Sequence, residues 1–136
     1  MKIKYLFRNE KAALYIAILL IAFGAAEVIT GLRHEFFGLV TSEDAATSII
    51  GSGLGLCYLF AGVLLLIFSI RTLFISIILL IIDVLGRFIM MFSGMYPMDT
   101  TMQIIGMVGG TVIAVIFASF IFVKYLRMLR NQNGVK

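Results

Sequence analysis

Three ionisable residues, Glu27, Asp83 and Arg87, stand inside otherwise apolar runs of this chain. A charged side chain in hydrocarbon is costly, so it turns toward protein or a polar cavity and takes a partner, and it marks a functional site by default. Asp83 and Arg87 are four residues apart, so on a helix they share a face and can pair along one turn. Two carboxylates and one guanidinium leave one surplus negative charge, which in a low dielectric favours uptake of a proton or a cation. The chemistry on offer is therefore proton exchange, or binding of a small ligand such as a quinone headgroup. A purely structural role is open beside it, with Arg87 bridging both carboxylates as a fastening between the first and third helices. Tyr58, His34 and Gln103 complete the candidates as hydrogen-bonding groups expected at the same end of the molecule.

The elements that must position these residues follow from composition. Of 136 residues, 62% are apolar and only 13% charged, and mean hydropathy is +1.12. A soluble domain of this length needs a polar surface that this chain cannot supply. Apolar runs cover 12–30, 49–70, 72–92 and 102–125, each long enough at 1.5 Å per residue to cross a hydrocarbon layer of about 30 Å. The alternation that membrane β-strands need is absent. The fold class expected is all-α: one domain, a four-helix transmembrane bundle embedded in the lipid bilayer. The basic start, the first apolar run and the following Gly24, Ala25 and Ala26 mimic a signal peptide, but the run has span length, and no cleavage is expected.

Lys2, Lys4, Arg8 and Lys11 precede the first span, Arg71 lies in the turn between the second and third, and Lys124, Arg127, Arg130 and Lys136 close the chain. All fall on one side, against Arg33 alone in a loop on the other, so both termini are expected in the cytoplasm. Basic residues gathered at helix ends form no surface stripe, which argues against a nucleic-acid partner. Counted from the outer ends, Glu27 is about 5 Å deep, Arg87 about 8 Å and Asp83 about 14 Å, with Tyr58 near the depth of Asp83. Polar groups from all four helices can thus converge in the outer half. The inner half has little beyond Ser69, Ser76 and Ser119. The outer segment 31–48, mixing Phe36, Phe37, Leu39 and Val40 with charged residues, is expected at the lipid interface and partly helical.

Small residues recur at helical spacing: Ala13, Ala17, Gly24 and Gly31 with Leu20 and Glu27 in the first span, Gly51, Gly55 and Gly62 with Tyr58 in the second, and Gly106, Gly110, Ala114 and Ala118 in the fourth. Such stripes let helix backbones approach where lipid supplies no hydrophobic drive. They point to bundle packing and to a homo-oligomer or a partner membrane protein. No Ser/His/Asp or Cys/His set, phosphate loop or metal spacing supports an enzyme, and no cofactor is expected. The single cysteine, Cys57, forms no intrachain disulfide and reads as a small buried apolar residue.

The four-span plan, the run Gly24, Ala25, Ala26, Glu27 and the stretch Asp83, Val84, Leu85, Gly86, Arg87 together resemble the DoxX-like group of small four-helix membrane proteins. That group includes accessory subunits of membrane-bound sulfur and quinone oxidoreductases. The resemblance implies a fold and an accessory redox role, and carries over no catalytic residue. Locally, Ala26, Glu27, Val28 and Ile29 are also similar to small multidrug resistance transporters, in which a first-helix glutamate exchanges protons for cationic substrates. This chain departs from that family in having no tryptophan, a glutamate near the end of its span, a long outer segment and a marked basic asymmetry. The alternative function is therefore a proton-coupled small-molecule transporter using Glu27 and Asp83.

Overall fold

The computed structural model describes residues 8–33, 35–36, 39–40 and 45–134, with side chains for 8–33 and 47–134. Among them are four long helices: α1 (Lys11–Arg33), α2 (Ala45–Ile67), α3 (Ile70–Phe92) and α4 (Thr101–Asn133). Each is long and apolar enough to cross a membrane, and the chain is a four-helix transmembrane bundle. In hydrocarbon a helix satisfies its own backbone groups, which is why these apolar runs adopt that form. At 33 residues α4 is about 50 Å long, longer than a span needs, and its basic end carries Lys124, Arg127 and Arg130.

The helices pack in chain order, α1 on α2, α2 on α3 and α3 on α4. Lys124 Nζ lies 2.5 Å from Glu10 Oε2, so the start of α1 and the late part of α4 lie at the same end of the bundle. At that end the core holds Ala13, Ala17, Leu20, Leu65, Leu73 and Ile121. Its one buried polar side chain among the described residues there is Ser76, whose hydroxyl donates to the Ala61 carbonyl at 3.1 Å and ties α3 to α2.

The closest backbone approach is between α1 and α2, along the small-residue stripes. A Cβ on Gly24 would fall on the backbone of Leu59 and Gly55, and one on Gly62 would lie 2.8 Å from the Ala17 carbonyl oxygen. Not every glycine of the stripes packs: around Gly51 and Gly106 a Cβ would meet nothing within 4 Å. Gly106 is exposed, because its stripe of strict four-residue steps drifts around a helix of 3.6 residues per turn, whereas Gly51 heads a stripe of mixed steps and lies where α2 opens, beyond the close contact with α1.

The tight turn between α2 and α3 sits at Phe68 and Ser69, not at Arg71, which lies exposed in the first turn of α3. Ser69 decides this. Its hydroxyl accepts the Thr72 N–H at 3.3 Å while the Thr72 hydroxyl accepts the Ser69 N–H at 2.9 Å, a reciprocal cap that starts the helix before the arginine. Phe68 takes a left-handed φ of 46° to make the reversal, and its ring is buried. Replacing Ser69 with alanine removes the cap and should cost about 1 kcal/mol, read as an earlier midpoint when the protein in micelles is titrated with SDS.

The segment 31–48 is partly helical, as expected, with helix at its two ends. Residues 31–33 complete α1 and 45–48 open α2, but between them β1 (Glu35–Phe36) and β2 (Leu39–Val40) pair antiparallel, Glu35 opposite Val40 and Phe36 opposite Leu39. Aromatic and β-branched residues suit a pleated ribbon better than a helix turn.

Candidate functional site

The site is built around Arg87, about one and a half turns from the C-terminal end of α3 and 5% exposed. Its Nε donates to Asp83 Oδ2 at 3.0 Å, the pairing that the four-residue spacing predicts. Its Nη2 donates to Glu27 Oε1 across the bundle, so one guanidinium joins α1 to α3. Glu27 reaches inward because α1 and α2 are nearly in backbone contact there: a Cβ on Gly55 would lie 2.8 Å from the Glu27 Cβ. Its side chain keeps 31% exposure, whereas Asp83 has none.

The other helices complete the layer. The Tyr58 ring of α2 lies under the guanidinium, 5.4 Å from Cζ to centroid, a distance at which the ring face attracts a cation. The Tyr58 hydroxyl donates to the Gly110 carbonyl of α4 at 2.9 Å. Gly110 also makes room for the arginine, since a Cβ there would lie 2.7 Å from Nη1. All four helices therefore meet in one polar layer, with α4 contributing a bare backbone instead of a side chain. Tyr58→Phe deletes a hydrogen bond between helices and should cost about 1 kcal/mol; an unchanged midpoint in the same SDS titration would show the hydroxyl to be idle.

Apolar residues close the layer on both sides. One turn nearer the loop between α3 and α4, Leu54, Met90 and Met107 form a buried cluster with Ile50, Met91 and Tyr96 packed against it. One turn nearer the other end stand Ala61, Leu80 and Ala114, each fully buried. Leu54 fills the notch at Gly86, where a Cβ would come 2.5 Å from Leu54 Cδ2. The loop from Ser93 to Thr100 turns at Gly94, whose φ of 72° is cheap only for glycine. From there the Tyr96 N–H returns to the Met90 carbonyl at 3.3 Å, and Thr47 at the start of α2 donates to the Met95 carbonyl at 2.8 Å. Burial raises the Tyr96 phenol above its ordinary pKa, with Arg87 opposing and Glu27 adding to the shift, so this tyrosine lies at the rim of the charge layer.

Of the six candidate residues, four come together: Glu27, Tyr58, Asp83 and Arg87. Gln103 does not join them. Its Oε1 accepts the backbone N–H groups of Thr100 at 3.0 Å and Asp99 at 3.1 Å, capping α4 reciprocally with Thr100. The sequence pattern Thr100, x, x, Gln103 is a capping-box signature and could have been read as one. His34 lies outside the described residues. Sequence reasoning did not foresee Gly86, Tyr96 or the part Gly110 plays beside the arginine; no residue type advertises a backbone carbonyl or a missing Cβ as part of a site.

The layer is not fully satisfied. Among the described residues, Asp83 Oδ1 and Glu27 Oε2 are buried atoms with no hydrogen-bond partner, and so is Ser52 Oγ, on α2 beside Gly31. Among the described residues no group of three His, Cys, Asp or Glu side chains is placed to hold a metal ion. Cys57 is half-buried and free.

Known proteins add nothing to this geometry. No family model matches the chain, and no curated protein or solved structure matches it. The chain is a multi-pass membrane protein by its four spans, and its function has to be argued from the charge layer.

Proposed function

We propose that this protein is a binding or accessory subunit that acts through another membrane protein or a second copy of itself, with both termini in the cytoplasm and the charge layer in the outer half of the bilayer. The observation that carries this reading is how the polar groups are used. Arg87 is held by Glu27 and Asp83, and Tyr58 by Gly110, so these polar groups tie the four helices together. Meanwhile large apolar side chains face outward along every helix, among them Leu32, Ile49, Phe92 and Ile116. Lipid tails or a neighbouring helix suit such faces equally. The excess of basic residues at the end shared by both termini supports the orientation. The resemblance to DoxX-like proteins supports a redox complex as the setting.

Gentle purification from native membranes tests the proposal, with mass and visible absorbance reporting what travels with the protein. A defined oxidoreductase partner in fixed stoichiometry is the expected result. A lone, colourless oligomer would overturn the redox setting, and a lone monomer would overturn the proposal altogether.

The unpartnered oxygens of Asp83 and Glu27 favour a second reading, proton-coupled transport of a small molecule. In that case Glu27→Gln and Asp83→Asn both fold, and proton-driven flux in proteoliposomes disappears. Flux retained in both variants would exclude it.

A further inference from the structure

We infer that the resting protein stores one proton on Asp83, at Oδ1, leaving Arg87 and Glu27 as the ionised pair. The inference rests on the charge layer being the polar centre of the protein, as in either reading above, and is independent of which partner or substrate it serves. The layer holds two carboxyl groups against one guanidinium, so one proton makes it neutral. An uncompensated charge within an apolar bundle is far more costly than a neutral carboxylic acid.

The geometry decides which group takes the proton. Asp83 is fully buried, and only its Oδ2 is engaged, by Arg87 Nε. Its Oδ1 is enclosed with no donor among the described residues, a costly position for an ionised oxygen and a less costly one for a hydroxyl. Glu27 is the better place for the charge. Its Oε1 is paired by the Arg87 terminal nitrogen, and although its Oε2 is enclosed too, the side chain as a whole keeps 31% exposure at the edge of the bundle where Asp83 has none. The groups facing Asp83 do not change this choice. α1 presents Glu27, α2 presents Cys57 and Tyr58, whose thiol and phenol are neutral near pH 7, and α3 itself presents Arg87. From α4 the layer receives Gly110, flanked by Met107 and Thr111, and none of these titrates.

Infrared spectroscopy of the full-length protein in lipid nanodiscs at neutral pH reads this directly. A protonated carboxyl shows a carbonyl stretch distinct from that of a carboxylate. That band is expected in the wild type and absent in Asp83→Asn. In Glu27→Gln, Asp83 becomes the one counter-ion of Arg87 and ionises, so the band is lost there too and isotope label in the wild type identifies its owner. Should Asp83→Asn fail to fold, the wild type with carboxyl-labelled aspartate answers the same question. Asp44 and Asp99 lie outside the spans, so a buried-acid band that moves with aspartate label, and not with glutamate label, belongs to Asp83. A band that follows glutamate label, survives in Asp83→Asn, or is missing from the wild type overturns the inference. None of those outcomes bears on whether an oxidoreductase partner co-purifies or whether flux occurs, so failure here is separable from failure of the functional reading.

Discussion

Replacing Arg87 with methionine is expected to remove about 3–5 kcal/mol of stability, the usual consequence of stripping a partner from a buried ion pair. The loss does not measure how much the pair stabilises the fold. Burying a guanidinium and a carboxylate costs several kcal/mol each, and their attraction recovers that cost only where geometry is good. The damage comes from what is left behind: Glu27 paired with nothing, and Asp83 without its one donor. The double variant Arg87→Met, Glu27→Gln separates the two effects. With Asp83 neutral it contains no unpaired buried charge, so it should recover most of the stability that the single variant loses. SDS titration in mixed micelles, followed by circular dichroism, measures both. A double variant no more stable than Arg87→Met would mean that Asp83 is ionised in this layer.

The second large effect is steric. Gly24→Val should push α1 and α2 apart and cost about 3 kcal/mol, the upper end of what overpacking does in a well-packed core. The reason is the nature of the obstacle. At Gly24 the added carbon would meet Leu59 N and Gly55 O, which are helix backbone and cannot swing aside as a side-chain end would. Gly53 and Gly106 supply the control, since a Cβ at either meets nothing within 4 Å. Gly53→Ala and Gly106→Ala should each leave the fold intact and add about 0.5–1 kcal/mol through reduced chain entropy in the unfolded state. Equal losses at packed and open glycines would show that the α1–α2 contact is not what these residues provide.

The pair formed by Asp83 and Arg87 was legible because its partners share one helix, where spacing alone sets geometry. Glu27 joining them was only an option on the page, because contact between helices depends on their order and rotation. The stripe logic worked where two stripes face each other, at Gly24 with Gly55 and at Gly62 with Ala17. It did not say that Gly51 and Gly106 would lie clear of any neighbouring helix. Gln103 was misplaced for a different reason: its depth suited the cluster, but the nearer backbone donors at Asp99 and Thr100 compete for its side chain.

The sequence by itself determined the solvent, the number of spans and the presence of two carboxyl groups with one guanidinium inside them. These are consequences of hydropathy, length and residue type, which need no partner to be true. Only the tertiary structure decided that the four helices pack in order, that Arg87 reaches Glu27 across the bundle, and that Gly110 gives it space. It also decided that Asp83 is sealed while Glu27 stays at the edge. The physical reason is that burial belongs to a position in the assembled bundle. Two acids of nearly equal chemistry become different groups because the neighbouring helices enclose one and leave the other partly open.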